Sequence, residues 1–362
     1  MRTSKSDFRP YPLLAGGHRQ TLAAHYIAAR YQLAGTVQHH VELDDGDRLV
    51  LHDDRPNRWQ PGDPVAMFVH GLCGSHQSRY VVRIAHKLHE RGVRTFRVDL
   101  RGCGAGEQLA RTSTHCGRWS DLDPPLLHIG ELAPESPVTL CGFSLGGALS
   151  LNLAATHSAA SNLARVVAIC PPVDLLAVER LLKRPLNKQY DQYFARQLWK
   201  KVVERAETIP GAPQVQHLPR PRKLREFDEA YTVPLGGYRD ADDYYEQASV
   251  VGRLDKISVP TRIIAAANDP IVPIEPLLTA NLGTQTHLLA TGCGGHLGFV
   301  GRRGTDPDRY WLDWRVIEWV TGAETTTTED TGEPTPPEPS PTTTRWFAAR
   351  LRRRNSPSKV ID

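Results

Sequence analysis

One hexapeptide constrains this chain more than any other feature: Gly142-Phe143-Ser144-Leu145-Gly146-Gly147. It follows the apolar run Val138-Thr139-Leu140-Cys141 and leads into Ala148-Leu149-Ser150-Leu151-Asn152-Leu153-Ala154-Ala155, which reads as a helix. A strand, a G-x-S-x-G turn and a helix in that order form the context of a nucleophile elbow. The serine sits on a tight, strained turn that lifts its hydroxyl above the sheet. Any Cβ at the flanking Gly142 or Gly146 would crowd that turn. The N-terminus of the following helix also points free N–H groups at negative charge developing on a substrate.

The rest of the chain supplies the sheet this elbow needs. β-rich runs occur at 37–43, 48–52, 64–70, 93–100, 138–142, 166–170, 262–266 and 286–290, with helix-like stretches such as 78–91 and 145–157 between them. Alternation of this kind predicts an α/β fold with a mainly parallel sheet covered on both faces. Residues 171–261 break the rhythm and are rich in Lys, Arg, Tyr and Leu. A connection that long must carry structure of its own. We read it as a helical insertion, about 174–257, that roofs the sheet as a lid.

A serine hydroxyl is a weak nucleophile until a base takes its proton, so a histidine oriented by a carboxylate is required. In a sheet of this kind the chain order is serine, acid, histidine. His296 lies in Gly292-Cys293-Gly294-Gly295-His296-Leu297-Gly298-Phe299, a glycine-rich loop directly after the last strand. Asp269 follows the penultimate strand and precedes Pro270, while Asp174 follows the strand before that; strand order favours Asp269. An oxyanion needs two backbone N–H donors. Leu145 supplies one, and Leu72, in the turn after Met67-Phe68-Val69-His70-Gly71, is expected to supply the other. His70 reads as structural. His39 with Asp44, and His40 with Asp45, match an HxxxxD spacing seen in acyltransferases, but with 15 histidines such pairs arise by chance, and these fall in a hairpin before Gly46.

Composition limits the alternatives. The net charge is only +4, with basic and acidic residues interleaved, so a nucleic-acid partner is not expected. The six cysteines lie far apart without a CxxC pair, which predicts neither disulfides nor a zinc site, and a reduced, cytoplasmic protein. Residues 1–17 lack the apolar core of a signal peptide, and no stretch approaches the roughly 20 apolar residues of a membrane span. We place the main domain at 1–320. Residues 321–344 hold ten Thr, five Pro and five acidic residues, the composition of a disordered linker. Residues 345–362 set Trp346, Phe347 and Leu351 among five arginines. That pattern reads either as a short helix making weak contact with an anionic membrane surface or as a plain basic tail.

With these residues in view, the chain from about Phe8 to Val320 resembles the YheT-like branch of the α/β hydrolases. That branch also includes yeast medium-chain ethyl-ester synthases/esterases and several animal α/β-hydrolase-domain proteins. The likeness rests on Gly17-His18-Arg19-Gln20-Thr21, His70-Gly71-Leu72 with Gly74 and Ser75, Asp99-Leu100-Arg101-Gly102-Cys103-Gly104, the elbow, Asn268-Asp269-Pro270 and Gly294-Gly295-His296-Leu297-Gly298-Phe299. In the insertion it adds Arg225-Glu226-Phe227-Asp228, Gly237-Tyr238 and Asp243-Tyr244-Tyr245. The resemblance implies a triad of Ser144, Asp269 and His296 and a cofactor-independent esterase or lipase-type activity. Its small-molecule substrates would be short- to medium-chain acyl esters, and some members of the branch transfer the acyl group to alcohols. Residues 321–362 fall outside the likeness.

Overall fold

The computed structural model describes residues 3–5, 8–26, 31–156, 162–304 and 306–322. The readings made for 345–362, and for all but the first two residues of 321–344, lie outside the described residues. Nine strands are described: β1 (Thr3–Lys5), β2 (Val37–Glu42), β3 (Arg48–Asp54), β4 (Val65–Val69), β5 (Arg94–Asp99), β6 (Val138–Phe143), β7 (Leu163–Ile169), β8 (Thr261–Ala266) and β9 (Thr286–Thr291). They form one sheet in the order β1-β9-β8-β7-β6-β4-β5-β3-β2. The β2–β3 and β3–β5 pairs are antiparallel and every other pair is parallel. The eight runs expected from the sequence coincide with β2–β9, with ends moved by a few residues. β1 was not anticipated, because three polar residues carry no pattern.

Among the described residues, eleven α-helices accompany the sheet: α1 (Gly17–Tyr26), α2 (Arg79–His89), α3 (Asp123–Leu132), α4 (Leu145–Thr156), α5 (Leu175–Leu182), α6 (Lys188–Thr208), α7 (Leu224–Phe227), α8 (Val233–Gly236), α9 (Ala241–Ala248), α10 (Glu275–Thr279) and α11 (Trp311–Thr321). The near-continuous apolar runs of the central strands follow from covering both faces. In β4, Val65, Met67 and Val69 enter one core with α3 and α4, while Ala66 and Phe68 enter the other with α2 and α11. Helix α4 is buried at eleven of its twelve positions. The sheet covers one side, and the α9 region reaches the other, where Asn152 donates to the Ala248 carbonyl at 3.0 Å and accepts from Arg253 at 2.6 Å.

The stretch between β7 and β8 holds α5 to α9, and one π turn, Asp228–Thr232, joins α7 to α8. Leu198, Trp199, Val202, Phe227 and Tyr231 give this stretch an apolar cluster of its own. Among the described residues, no helix is long and apolar enough to cross a membrane.

Candidate active site

Ser144 stands between β6 and α4 with φ +51°, a left-handed backbone that a non-glycine residue adopts only when its surroundings impose it. Its N–H donates to the Ile169 carbonyl of the neighbouring strand at 2.8 Å. The two glycines are obligatory on contact grounds. A Cβ at Gly142 would run into the Gly146 carbonyl oxygen, and one at Gly146 into the Val69 carbonyl oxygen.

His296 arrives from the loop after β9. Its Nε2 lies 2.9 Å from Ser144 Oγ and its Nδ1 lies 2.8 Å from Asp269 Oδ2. The carboxylate assigns the proton to Nδ1, which leaves Nε2 free to accept from the serine hydroxyl. Asp269 follows β8, and its other oxygen accepts from the N–H groups of Ile271 and Val272 at 2.8 and 2.9 Å. The rival Asp174 instead caps α5, accepting from the Ala177 N–H at 2.9 Å. The fold thus brings Ser144, His296 and Asp269 into one hydrogen-bonded chain and gives Asp174 a capping task.

Leu72 and Leu145 line the cavity in front of Ser144. Among the described residues, no hydrogen bond is donated by the N–H of either, while the neighbouring Gly71 N–H is taken by the Tyr80 hydroxyl at 3.0 Å. His70 lies behind this turn, buried. The Leu100 N–H donates to its Nε2 at 3.3 Å, so its Nδ1–H donates to the Gly71 carbonyl at 2.8 Å. Burial pushes the His70 imidazole below its ordinary pKa, against the opposing pull of the Gly71 carbonyl and Asp99. It is a neutral support for the turn.

The cavity measures about 120 Å³. Its walls are largely apolar, from Leu175, Leu182, Phe194 and Ile271, and its polar lining includes His115 and Asp228 from outside the triad. Burial, reinforced by Arg118 and Arg101, pushes His115 down to about 3, so it stays uncharged near neutrality. Burial pushes Asp228 up to about 7, although the Thr232 and Tyr245 hydroxyls donate to its oxygens at 2.7 and 2.8 Å. Sequence reasoning gave neither residue a role. Asp228 stood inside a quoted motif, whereas nothing local marks His115.

Among the described residues, five that are not glycine have positive φ: Cys73, Ser144, Cys170, Leu297 and Phe299. All five sit in or beside the turns that carry these groups, as expected where strain is held at a functional site. Two clusters of the described residues bring three potential metal-ligating side chains together, Cys170–Asp269–His296 and His52–His76–Asp99. In the first, burial pushes the Cys170 thiol well above its ordinary pKa, and His296 and Asp269 are hydrogen-bonded to each other at 2.8 Å. In the second, both ring nitrogens approach one oxygen of Asp99, at 2.9 and 2.6 Å, which are hydrogen-bond distances. The HxxxxD histidines lie on β2, four strand spacings or about 19 Å from β6. His39 faces Asp53 there, and Asp45 accepts from Arg101.

The family model described as alpha/beta hydrolase fold matches residues 64–302. YheT of Escherichia coli (strain K12), an esterase by name, is 28% identical over 323 residues, spanning 88% of this chain and 94% of that protein. Human phospholipase ABHD3 is 28% identical over 266 residues, 72% of this chain and 64% of its own length. Among solved structures, the Pyrococcus furiosus esterase Pf2001 superposes with a TM-score of 0.52 at 15% identity, over 82% of this chain and 97% of that one. These similarities agree with the resemblance drawn from the motifs.

Proposed function

The chain belongs to the α/β-hydrolase family and is a carboxylic ester hydrolase, and on that premise we propose that it works through an acyl-serine formed on Ser144. The observation that carries this reading is the relay from Ser144 Oγ through His296 to Asp269, at 2.9 and 2.8 Å, at the mouth of an apolar cavity. Ser144 Oγ attacks the ester carbonyl carbon while His296 Nε2 takes the hydroxyl proton. Negative charge then gathers on the carbonyl oxygen, where the N–H groups of Leu72 and Leu145 receive it. As the tetrahedral intermediate collapses, His296 passes its proton to the departing alcohol oxygen. A water molecule, deprotonated by the same imidazole, repeats the sequence and frees the acid. Asp269 holds the ring and balances its positive charge throughout.

The apolar lining of Leu175, Leu182 and Phe194 supports a short- to medium-chain acyl group as substrate. An alcohol replacing water in the second half-reaction would yield a new ester, so adding alcohol and measuring the ratio of free acid to new ester separates hydrolase from acyltransferase. The main test is labelling of Ser144 by a fluorophosphonate, together with turnover of p-nitrophenyl esters of graded chain length. Labelling that persists in Ser144→Ala would sink the assignment. The well-separated cysteines suit a reducing cytoplasm, and the arginine-rich segment after 344 supports a weak contact with anionic membrane surfaces.

A further inference from the structure

The Gly17-His18-Arg19-Gln20-Thr21 motif takes no part in the chemistry above, yet helix α1, which it opens, packs against the loop that carries His296. The hydroxyl of Thr21 accepts from the backbone N–H of His296 at 2.9 Å. Its own proton goes to the Gly17 carbonyl at 2.9 Å, which aims a lone pair at His296. Gln20 is fully buried and grips Val300 twice: its Oε1 accepts from the Val300 N–H at 2.8 Å, and its Nε2 donates to the Val300 carbonyl at 3.0 Å. The two residues reach across 275 and 280 positions of chain to hold the loop on either side of Leu297–Phe299.

That loop needs holding. Leu297 and Phe299 have φ of +60° and +47°, and Gly295 has +59°. A loop with this much left-handed backbone keeps one shape only when its neighbours over-determine it. The first turn of α1 leaves no slack: a Cβ on Gly295 would strike the Gly17 carbonyl oxygen, and one on Gly298 would sit 2.7 Å from the Gln20 carbonyl oxygen. Gly17 in turn has no room for a Cβ beside the Asn268 carbonyl, one residue before Asp269. The Asn268 side chain completes the clamp, accepting from the Gly295 N–H at 3.0 Å.

We propose that Thr21 and Gln20 are positioning residues for His296, fixing the loop so that its imidazole meets both Ser144 and Asp269. The inference rests on the acyl-serine reading. Thr21→Val keeps the shape of the side chain but leaves the His296 N–H without its acceptor, whereas Thr21→Ser keeps the acceptor. With p-nitrophenyl butyrate, Thr21→Val is expected to lower kcat about ten- to hundredfold, because small misplacements of a catalytic base are that costly. KM and Tm should stay near wild type, and fluorophosphonate labelling of Ser144 should slow by the same factor. Thr21→Ser should restore most of the rate. Gln20→Leu should act in the same direction, and the Thr21 pair decides if that variant does not fold. Leu22→Ala, on an exposed position of α1, should change neither rate nor Tm. Wild-type kcat in Thr21→Val, with Ser144→Ala inactive, would overturn the positioning role alone. A lowered Tm in Thr21→Val with unchanged kcat would reduce α1 to a structural prop. Full turnover by Ser144→Ala would overturn the acyl-serine reading and this inference with it.

Discussion

Asp269 divides its two oxygens between tasks: one closes the turn before α10 by accepting from Ile271 and Val272, and the other meets His296. An amide at this position would still satisfy the turn but would present the wrong partner to the ring, turning the imidazole to its unproductive tautomer. Asp269→Asn should therefore lower kcat by about 10³–10⁴ with little loss of stability. Asp174→Asn should leave kcat unchanged, since asparagine caps a helix as well as aspartate does. Steady-state kinetics on both variants check the pair, and a reversed order would return the acid to the end of β7. Ser144→Ala should abolish turnover with an unchanged melting curve, leaving only the residual acceleration from the oxyanion donors and substrate binding.

At the scale of elements, the pairing of α2 with α11 rests on buried charge. Arg83 forks onto Asp313 at 2.6 and 2.9 Å, Lys87 reaches the same carboxylate at 2.7 Å, and the Arg83 guanidinium lies 3.8 Å from the centre of the Tyr310 ring. Removing the shared acid would strand the buried Arg83, while Lys87 keeps Asp308 at 2.6 Å, and the cost of breaking a buried pair is about 3–5 kcal/mol. Asp313→Ala should lower urea stability by that amount, while kcat per folded molecule stays the same, because α11 contributes nothing to the cavity. Among the elements between β7 and β8, the π turn at Asp228–Thr232 matters most. It sets Asp228 against the cavity, where Thr232, four residues on, and Tyr245 of α9 can both donate to it.

At the scale of the whole molecule, Asp228 gives stability a pH dependence of unusual sign. Its folded pKa of about 7 stands above the ordinary carboxyl value of 3.8. Between those values the folded state holds a proton that the unfolded chain has released. Its contribution is therefore full below about pH 4 and declines as pH rises through 7, by on the order of a few kcal/mol. Asp47, brought down to about 2 by Arg111 and Thr112 against the effect of burial, works in the opposite sense and loses its contribution only as pH falls toward 2. Melting wild type and Asp228→Asn across pH 4–8 isolates the first effect: the wild-type Tm should fall relative to the variant as pH rises, and parallel curves would refute it. A second whole-chain prediction concerns truncation after Gly322, which keeps the glycine that ends α11. The cut removes six acidic and six basic residues, so the net charge stays +4. Hydrolysis of a soluble ester should be unaffected, whereas co-sedimentation with anionic vesicles at low salt should fall, each basic charge being worth about 1 kcal/mol near such a surface. Equal sedimentation by both forms would leave those residues without a membrane role.

The sequence by itself determined what short-range physics can encode. The elbow was legible because its strand, turn and helix lie within a few residues of Ser144 and the Gly142 position meets the nearby Gly146 carbonyl, although the contact that requires Gly146, with the Val69 carbonyl, is long-range. The strands were legible because burial on both faces writes unbroken apolar runs. Asp269 and His296 could be picked out because their loops follow strands in a set order. The tertiary structure decided what depends on distant partners. Local pattern cannot tell a capping Asp174 from an orienting Asp269, since both follow a strand; the difference lies in which one meets a ring 27 residues along the chain. The burial that lifts Asp228 comes from packing among the elements between β7 and β8, and the strain at Leu297 and Phe299 is invisible in side chains that ordinarily avoid positive φ. Gln20 and Thr21 stood in plain view as a motif, but their purpose became readable only when folding carried them across some 275 positions of chain to the backbone around His296.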